Sequence, residues 1–326
     1  MNGMRLASFL LLFIGMCGCG SRQSPNRVRL AVAAQQAPTQ MLTYLSMELG
    51  TFQDEGLTVE LHEFPGSSKA LEALLGGGID VVSGYHEQTM QLTPGSPRLQ
   101  SFLVMMRSHM VGLVVAPSSQ ARLASIRQLR GATVGVTSLG SATHLLLNYL
   151  LRKEGMQPED VKPVAISTGS RALAAMERGV VEAGVVSDFT IRHLEKRFGR
   201  VSVLADTRTE KGLRDIYGVD SYPSTVLYAK LEWLERNRDL ALRLVRAIEK
   251  TRAWVSLHRA EEVAARLPAA QHGDDEALYV EVIRATIARL HPDGKMRPEE
   301  AAAAARVVEF KDDAGKSYTN EFVGSR

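Results

Sequence analysis

The residues best suited to chemistry are a run of small and hydroxyl positions, Ser138, Gly140, Ser141, Ala142 and Thr143. They follow the apolar, β-branched stretch Thr133–Val136. They precede apolar residues at Leu145, Leu146, Tyr149 and Leu150, which is a helical spacing. Strand, loop and helix in that order place the run where a strand's carboxyl end meets a helix's amino end. There the first backbone N–H groups lack a partner inside the helix, and the helix dipole is positive. Small residues let an anion reach those N–H groups. The alternative is an ordinary N-cap, with Ser141 as the capping residue.

Other strand ends supply similar groups. Gln35 and Gln36 follow the first strand. Phe64, Gly66, Ser67 and Ser68 follow the second, and Ser83 and Tyr85 the third. Ser170, Ser187 and Asp188 occupy equivalent places in the second half, and Tyr217 and Tyr222 lie just before a late strand. Most of these donate hydrogen bonds without adding fixed charge. For Ser67 and Ser68 the competing role is a second N-cap, and for Gln35 and Gln36 a solvated turn. Asp188, if it faces a ligand, favours an amine or disfavours an anion; otherwise it caps a helix starting at Phe189. Lys69 and Arg171 sit at matching helix starts and could meet an oxyanion, or simply be solvated.

Other chemistries are not expected. The eight histidines form no HExxH and no close pair, so no metal site is expected. His144, in the first turn after the Ser141 loop, either reaches the cleft or is a solvated or capping histidine. No Gly-x-Ser-x-Gly elbow, P-loop or dinucleotide fingerprint is present. An enzyme with a bound cofactor is therefore not expected. The net charge of +3 comes with interspersed signs and no basic block among aromatics, so a nucleic-acid partner is not implied.

Elements must position these groups, and 326 residues suffice for two domains with a large core. Strands are expected at Arg29–Ala33, Thr58–Glu63 and Ile79–Val82, with helices near Thr39–Leu49 and Ser68–Leu75. The same order recurs about 100 residues later: strand Thr133–Val136, helix Ala142–Glu154, strand Lys162–Ile166, helix Ser170–Glu177, strand Val181–Val186. The texts agree too. Ser68-Lys69-Ala70-Leu71 answers Ser170-Arg171-Ala172-Leu173, Gly77 answers Gly179, and Asp80 answers Glu182 at one offset. Two βαβαβ units imply an α/β protein of two lobes, each with a mostly parallel sheet and helices on both faces. Ligands in such sheets bind beyond the carboxyl ends of the strands. The strands Val111–Ala116 and Ser224–Ala229 are expected to cross between lobes. Helices at about Leu231–Asn237, Leu240–His258, Glu261–Leu267, Asp274–Leu290 and Pro298–Val308 are expected to pack on lobe one. The ranges that follow are 28–112 plus 226–310 for lobe one, 113–225 for lobe two, and a frayed tail over 311–326.

After an early Arg5, Ala7–Met16 is an apolar run too short to span a bilayer as a mature helix, and residues 1–18 read as a secretory signal. A Cys directly after a small residue resembles the bacterial lipoprotein signal. Cys19 after Gly18 fits best and Cys17 after Met16 is second; residues 19–27 then form a tether. The resemblance implies a lipidated Cys19 and a periplasmic or cell-surface chain anchored to the membrane. Both cysteines lie here, so the mature chain has no disulfide or thiol nucleophile.

Four stretches carry a second resemblance: Leu49–Leu57, Ala70–Val82, Leu129–Val136 and Glu154–Val161. Together they resemble the periplasmic substrate-binding proteins of ABC importers, of the nitrate, sulfonate and taurine type, which includes binders of thiamine pyrimidine precursors. That family implies the type II two-lobed fold, closure around one small molecule, no cofactor, a monomer, and an ABC permease with its ATPase as partner. The chain departs from it at Val186-Ser187-Asp188-Phe189, where relatives often carry an acidic residue and a proline. Two rivals share the fold: a ligand-sensing domain of a membrane signalling protein, and a thiamine-precursor synthesis enzyme. The latter would need a cysteine-rich or histidine-centred loop.

Overall fold

The computed structural model describes residues 26–34, 36–91 and 95–324. The first lobe opens with β1 (Arg27–Ala33), α1 (Met41–Glu48), α2 (Thr51–Asp54), β2 (Thr58–Phe64), α3 (Ser67–Leu75), β3 (Val81–Tyr85) and β4 (Leu99–Val104). The second holds β5 (Val111–Val115), β6 (Thr133–Val136), α4 (Ala142–Lys153), β7 (Lys162–Ala165), α5 (Gly169–Glu177), β8 (Ala183–Ser187), α6 (Asp188–Phe198), β9 (Val203–Asp206) and α7 (Glu210–Tyr217). The chain then returns through β10 (Thr225–Lys230) to α8 (Leu231–Arg236), α9 (Arg238–Ser256), α10 (Ala260–Arg266), α11 (Glu276–Ile287) and α12 (Pro298–Val307).

The two sheets have the same plan. Their strand orders are β2-β1-β3-β10-β4 and β7-β6-β8-β5-β9. In each, three parallel strands of a repeat unit pair on one side, and one antiparallel strand links them to the fifth. The central strands are buried on both faces, which explains their unbroken apolar runs.

The matched acids of the repeat do the same work in each half. Asp80 Oδ2 accepts the backbone N–H of Arg29 at 2.9 Å, where β1 begins. Glu182 Oε2 accepts that of Thr133 at 2.9 Å, where β6 begins. Each acid therefore satisfies a donor that the neighbouring strand leaves open.

Four expectations need correcting. Val111–Ala116 and Ser224–Ala229 do not cross between lobes. β5 lies wholly in the second sheet and β10 wholly in the first, because each completes ladders with two neighbours. The crossings are the short stretches between Val104 and Val111 and between Tyr217 and Thr225. The late helices are not confined to lobe one. In α12, Ala301 joins the first lobe's core while Ala303, Ala304 and Val307 join the second's. Arg152 and Arg306 donate to the carbonyls of Val307 and Tyr217 at 2.8 and 2.7 Å, fixing that helix to lobe two. The third strand starts at Val81 rather than Ile79 and runs on to Tyr85.

The tail is also ordered through Gly324, not frayed. Phe322 is 1% exposed and meets Phe102 edge-on, with ring centroids 5.7 Å apart. His86, whose pKa is pushed down to about 4 by burial, contacts the hydroxyls of Ser101 at 2.8 Å and Ser317 at 3.3 Å. One buried ring and a neutral imidazole thus hold a segment whose composition is polar. Replacing Phe322 with Leu should cost about 1–2 kcal/mol of stability, read as a lower urea midpoint with unchanged slope.

Candidate functional site

The carboxyl ends of both sets of parallel strands face one another, and five helical segments start there. Their N-cap residues are Ala37, Gly66, Ser141, Thr168 and Ser187, and none of them caps its own helix through a side chain. Ser141 instead accepts from the Ser138 N–H at 3.3 Å and shares a 3.0 Å contact with the Thr143 hydroxyl. The N-cap role proposed for Ser141 is therefore not played by its hydroxyl. The first α4 N–H, that of Ala142, donates across the cleft to Ser67 Oγ at 3.2 Å. One lobe thus caps a helix of the other.

Between these helix starts lies a cavity. Its walls include Thr39, Ser67 and Tyr85 from lobe one, Thr137, Ser141, Ala142, Thr143 and Asp188 from lobe two, and Val282 and Thr286 of α11. Ala34, Ala37, Pro38, Met110, Val185 and Val186 make much of the remainder apolar. The cavity has about 40 Å³ of room for the centres of water molecules, where one water needs roughly 10–15 Å³. In this conformation it fits a small solute.

Of the site residues expected from the sequence, Ser67, Tyr85, Ser141, Ala142, Thr143 and Asp188 come together on the wall, with Ser187 beside them. Others mark the seam where the lobes touch. Ser68 and Ser138 share hydroxyls at 3.1 Å, and the Gly140 carbonyl accepts from Gln88 Nε2 at 3.3 Å. A Cβ on Gly66 would sit 2.1 Å from Ser138 Oγ, and one on Gly169 2.7 Å from Gln36 Oε1. Ser83, Tyr222 and Phe64 lie behind the wall. Ser83 is buried and spends its hydroxyl on Thr43 and on Gln40. Tyr222 is buried with its hydroxyl on Glu87, and Tyr217 stacks on it at 3.9 Å. Phe64 packs against the core under α3. Ser170 is exposed and lines a separate cavity at the outer lip, between α6 and the loop before α11. Gln35 and Cys19 lie outside the described residues.

The charged candidates behave differently from the hydroxyls. Asp188 is on the wall, yet its Oδ1 accepts from Arg208 at 2.9 Å and its Oδ2 from Arg192 at 2.7 Å. Arg208 also grips Asp206 with two bonds of 2.9 Å. Burial alone would loosen the Arg208 proton, but the two carboxylates outweigh it and raise its pKa. Lys69 is exposed and paired with Glu72, and Arg171 is exposed; neither lines the cavity. His144 Nδ1 accepts the Gly140 N–H at 2.9 Å, so it pins the loop. Partial burial lowers its pKa, consistent with an accepting, neutral ring.

The sequence reading missed the crossing segment His109–Met110 and the α11 face Val282–Thr286. The former is a loop with no periodicity. The latter lies far along the chain from the loops it covers. Among the described residues, no three His, Cys, Asp or Glu side chains are grouped to hold a metal, and no helix is long and apolar enough to cross a membrane.

Known proteins share this construction. The NMT1-like family model matches residues 22–269. A solved protein of Bordetella bronchiseptica RB50 is 30% identical, with a TM-score of 0.86 over 91% of this chain and 95% of its own. The alkanesulfonate-binding protein SsuA of Xanthomonas axonopodis pv. citri, solved with bound MOPS, shares the fold. It is 16% identical, with a TM-score of 0.68 over 91% of this chain and 99% of its own. YtlA of Bacillus subtilis (strain 168), whose name is that of a binding protein, is 21% identical over 262 residues, 80% of this chain and 75% of its own.

Proposed function

The chain belongs to the NMT1-like family, and from that premise we propose that it is an extracytoplasmic solute receptor, lipidated at Cys19, that delivers a small molecule to an ABC importer. Its ligand carries a compact anionic head, of the sulfonate, nitrate or taurine kind, with little apolar bulk; a thiamine pyrimidine precursor is the alternative. The observation that carries this reading is the convergence of helix starts, uncapped by their own side chains, on one small cavity between the lobes. Such N–H groups, with the helix dipoles behind them, replace the hydration of an oxyanion without fixed charge. Apolar walls from Ala34, Met110 and Val185 suit a short hydrocarbon portion. No residue is assigned to catalysis; the site holds and releases its solute unchanged.

The mechanism follows from the seam. Ligand held by both lobes stabilises the arrangement in which Ser67 reaches Ala142 and Ser68 reaches Ser138. That closed form is the one presented to the permease.

The test is a thermal melt of the purified chain lacking residues 1–18, with ethanesulfonate, nitrate, taurine and a 4-aminopyrimidine each tried in turn. Binding only to the folded state raises the midpoint with the logarithm of ligand concentration. At least one of the first three should do so. A response to the aminopyrimidine alone supports the alternative ligand, and no response to any removes both ligand classes.

A further inference from the structure

Among the described residues that line the cavity, His109 is the one side chain able to carry a positive charge; no Lys or Arg is on the wall. It lies in the first crossing segment and is 4% exposed. Its Nε2 is 2.8 Å from Oε1 of Glu87, a charge-pair contact without hydrogen-bond geometry, and Glu87 has no exposure at all. Glu87 Oε1 also accepts from the Tyr222 hydroxyl at 2.8 Å, while its Oε2 has no hydrogen-bond partner. A buried carboxylate this poorly bonded is costly unless a cation stands beside it. The groups facing His109 are few. Tyr85 stacks on it at 5.5 Å, Tyr222 tilts against it at 4.9 Å, and the Tyr217 hydroxyl is 3.3 Å from Nδ1. Asp188, on the same wall, is already held by two arginines.

We propose that Glu87 holds His109 as an imidazolium on the cavity wall, and that this ring is the charge by which the site selects an anionic ligand. The proposal rests on the anion-receptor reading above and deepens it. The pair brings no net charge to the wall while the ring is protonated. When the ring is neutral, Glu87 leaves one uncompensated negative charge behind it, which repels an anion. Burial raises the Glu87 pKa, yet the attraction of His109 and the bond from the Tyr222 hydroxyl help to leave it lowered. The location adds a second consequence. His109 sits on one crossing and Tyr222 on the other. Glu87 and Tyr85 belong to lobe one. The ring that meets the ligand thus packs against the second connection at Tyr222.

Loss of the charged ring should therefore weaken anion binding. Two measurements on the purified chain separate this proposal from the reading beneath it. Long-range proton–nitrogen NMR of histidine-labelled, ligand-free protein reports the ring directly. His109 should have both nitrogens protonated in the parent, and less completely so in Glu87→Gln in the same buffer. A neutral His109 ring at pH 6 in the parent overturns the proposal, whatever binds.

Calorimetric titration with ethanesulfonate is the second measurement. Affinity should be roughly 10- to 100-fold weaker in His109→Gln than in the parent. Equal affinity in parent and His109→Gln overturns the selector role. A protonated His109 together with no binding of ethanesulfonate, nitrate or taurine overturns the anion reading, and with it the selector role.

Discussion

Gly66→Ala is expected to bind its solute roughly 10- to 100-fold more weakly than the parent while remaining folded. The added Cβ would lie 2.1 Å from Ser138 Oγ and 3.0 Å from Ser138 Cβ, across the seam between lobes. Rotating the serine hydroxyl relieves the first contact but not the second. Gly66 has an extended backbone (φ −169°) that any residue adopts, so the cost falls on closure and not on lobe one. Overpacking of this kind costs about 1–3 kcal/mol. Charged to the closed form alone, it lowers the closed fraction and the apparent affinity in proportion. The reciprocal change makes the test specific. Ser138→Gly in the Gly66→Ala background removes both obstructing atoms and should restore most of the affinity. Small-angle scattering should show the single variant more extended than the parent with saturating ligand. Unchanged affinity in Gly66→Ala would mean that the seam does not form during binding.

Asp188→Ala should lose about 3 kcal/mol or more of folding stability, the largest effect expected of any single change on the cavity wall. Its side chain is 4% exposed and its two oxygens bind Arg208 and Arg192. Arg208, only 17% exposed, would be left with Asp206 alone. Removing one member of a buried pair leaves the other uncompensated, which is why such truncations cost about 3–5 kcal/mol. Chemical denaturation measures this directly. Arg208→Ala should be less damaging in the Asp188→Ala background than alone, because the two residues share one interaction. Additive losses would show that the pair is not coupled. Asp188→Asn, which keeps the shape, should destabilise less and should not weaken anion binding, since the carboxylate is committed to the arginines.

Much of the architecture is legible in the chain because it is written twice. The shared offset linking Lys69 to Arg171, Gly77 to Gly179 and Asp80 to Glu182 predicts two equal units. The last of those matches turned out to be one structural device, an acid accepting an N–H near the start of the neighbouring strand. Helix starts were likewise readable, since apolar spacing after a Ser or Gly turn has a local cause. What escaped depends on partners distant in sequence. β4 and β9 are single strands whose place is set by β10 and β5. The alanines of α12 carry no directional signal, so its division between two cores was invisible. Phe322 is one aromatic in a polar tail, and its burial depends on Phe102. His109 stands in an aperiodic loop, and its surroundings come from residues 24 positions before it to 113 after it. The hydroxyl loops at Ser67 and Ser141–Thr143 were visible because strand ends locate them. The structure divides such positions between cavity wall and lobe seam, a distinction that alternation and spacing do not contain.

The claim beneath all of this is that a small anion sits between the two lobes against the helix starts. Backbone amide NMR of the isotope-labelled chain during titration with ethanesulfonate tests it most directly. The predicted result is a saturable set of shifts at Ala142, Thr143 and His144, at Gly169 and Ser170, and at Met110, all with one dissociation constant. Shifts confined to the outer surfaces of the lobes, with those amides unmoved at saturation, would contradict it.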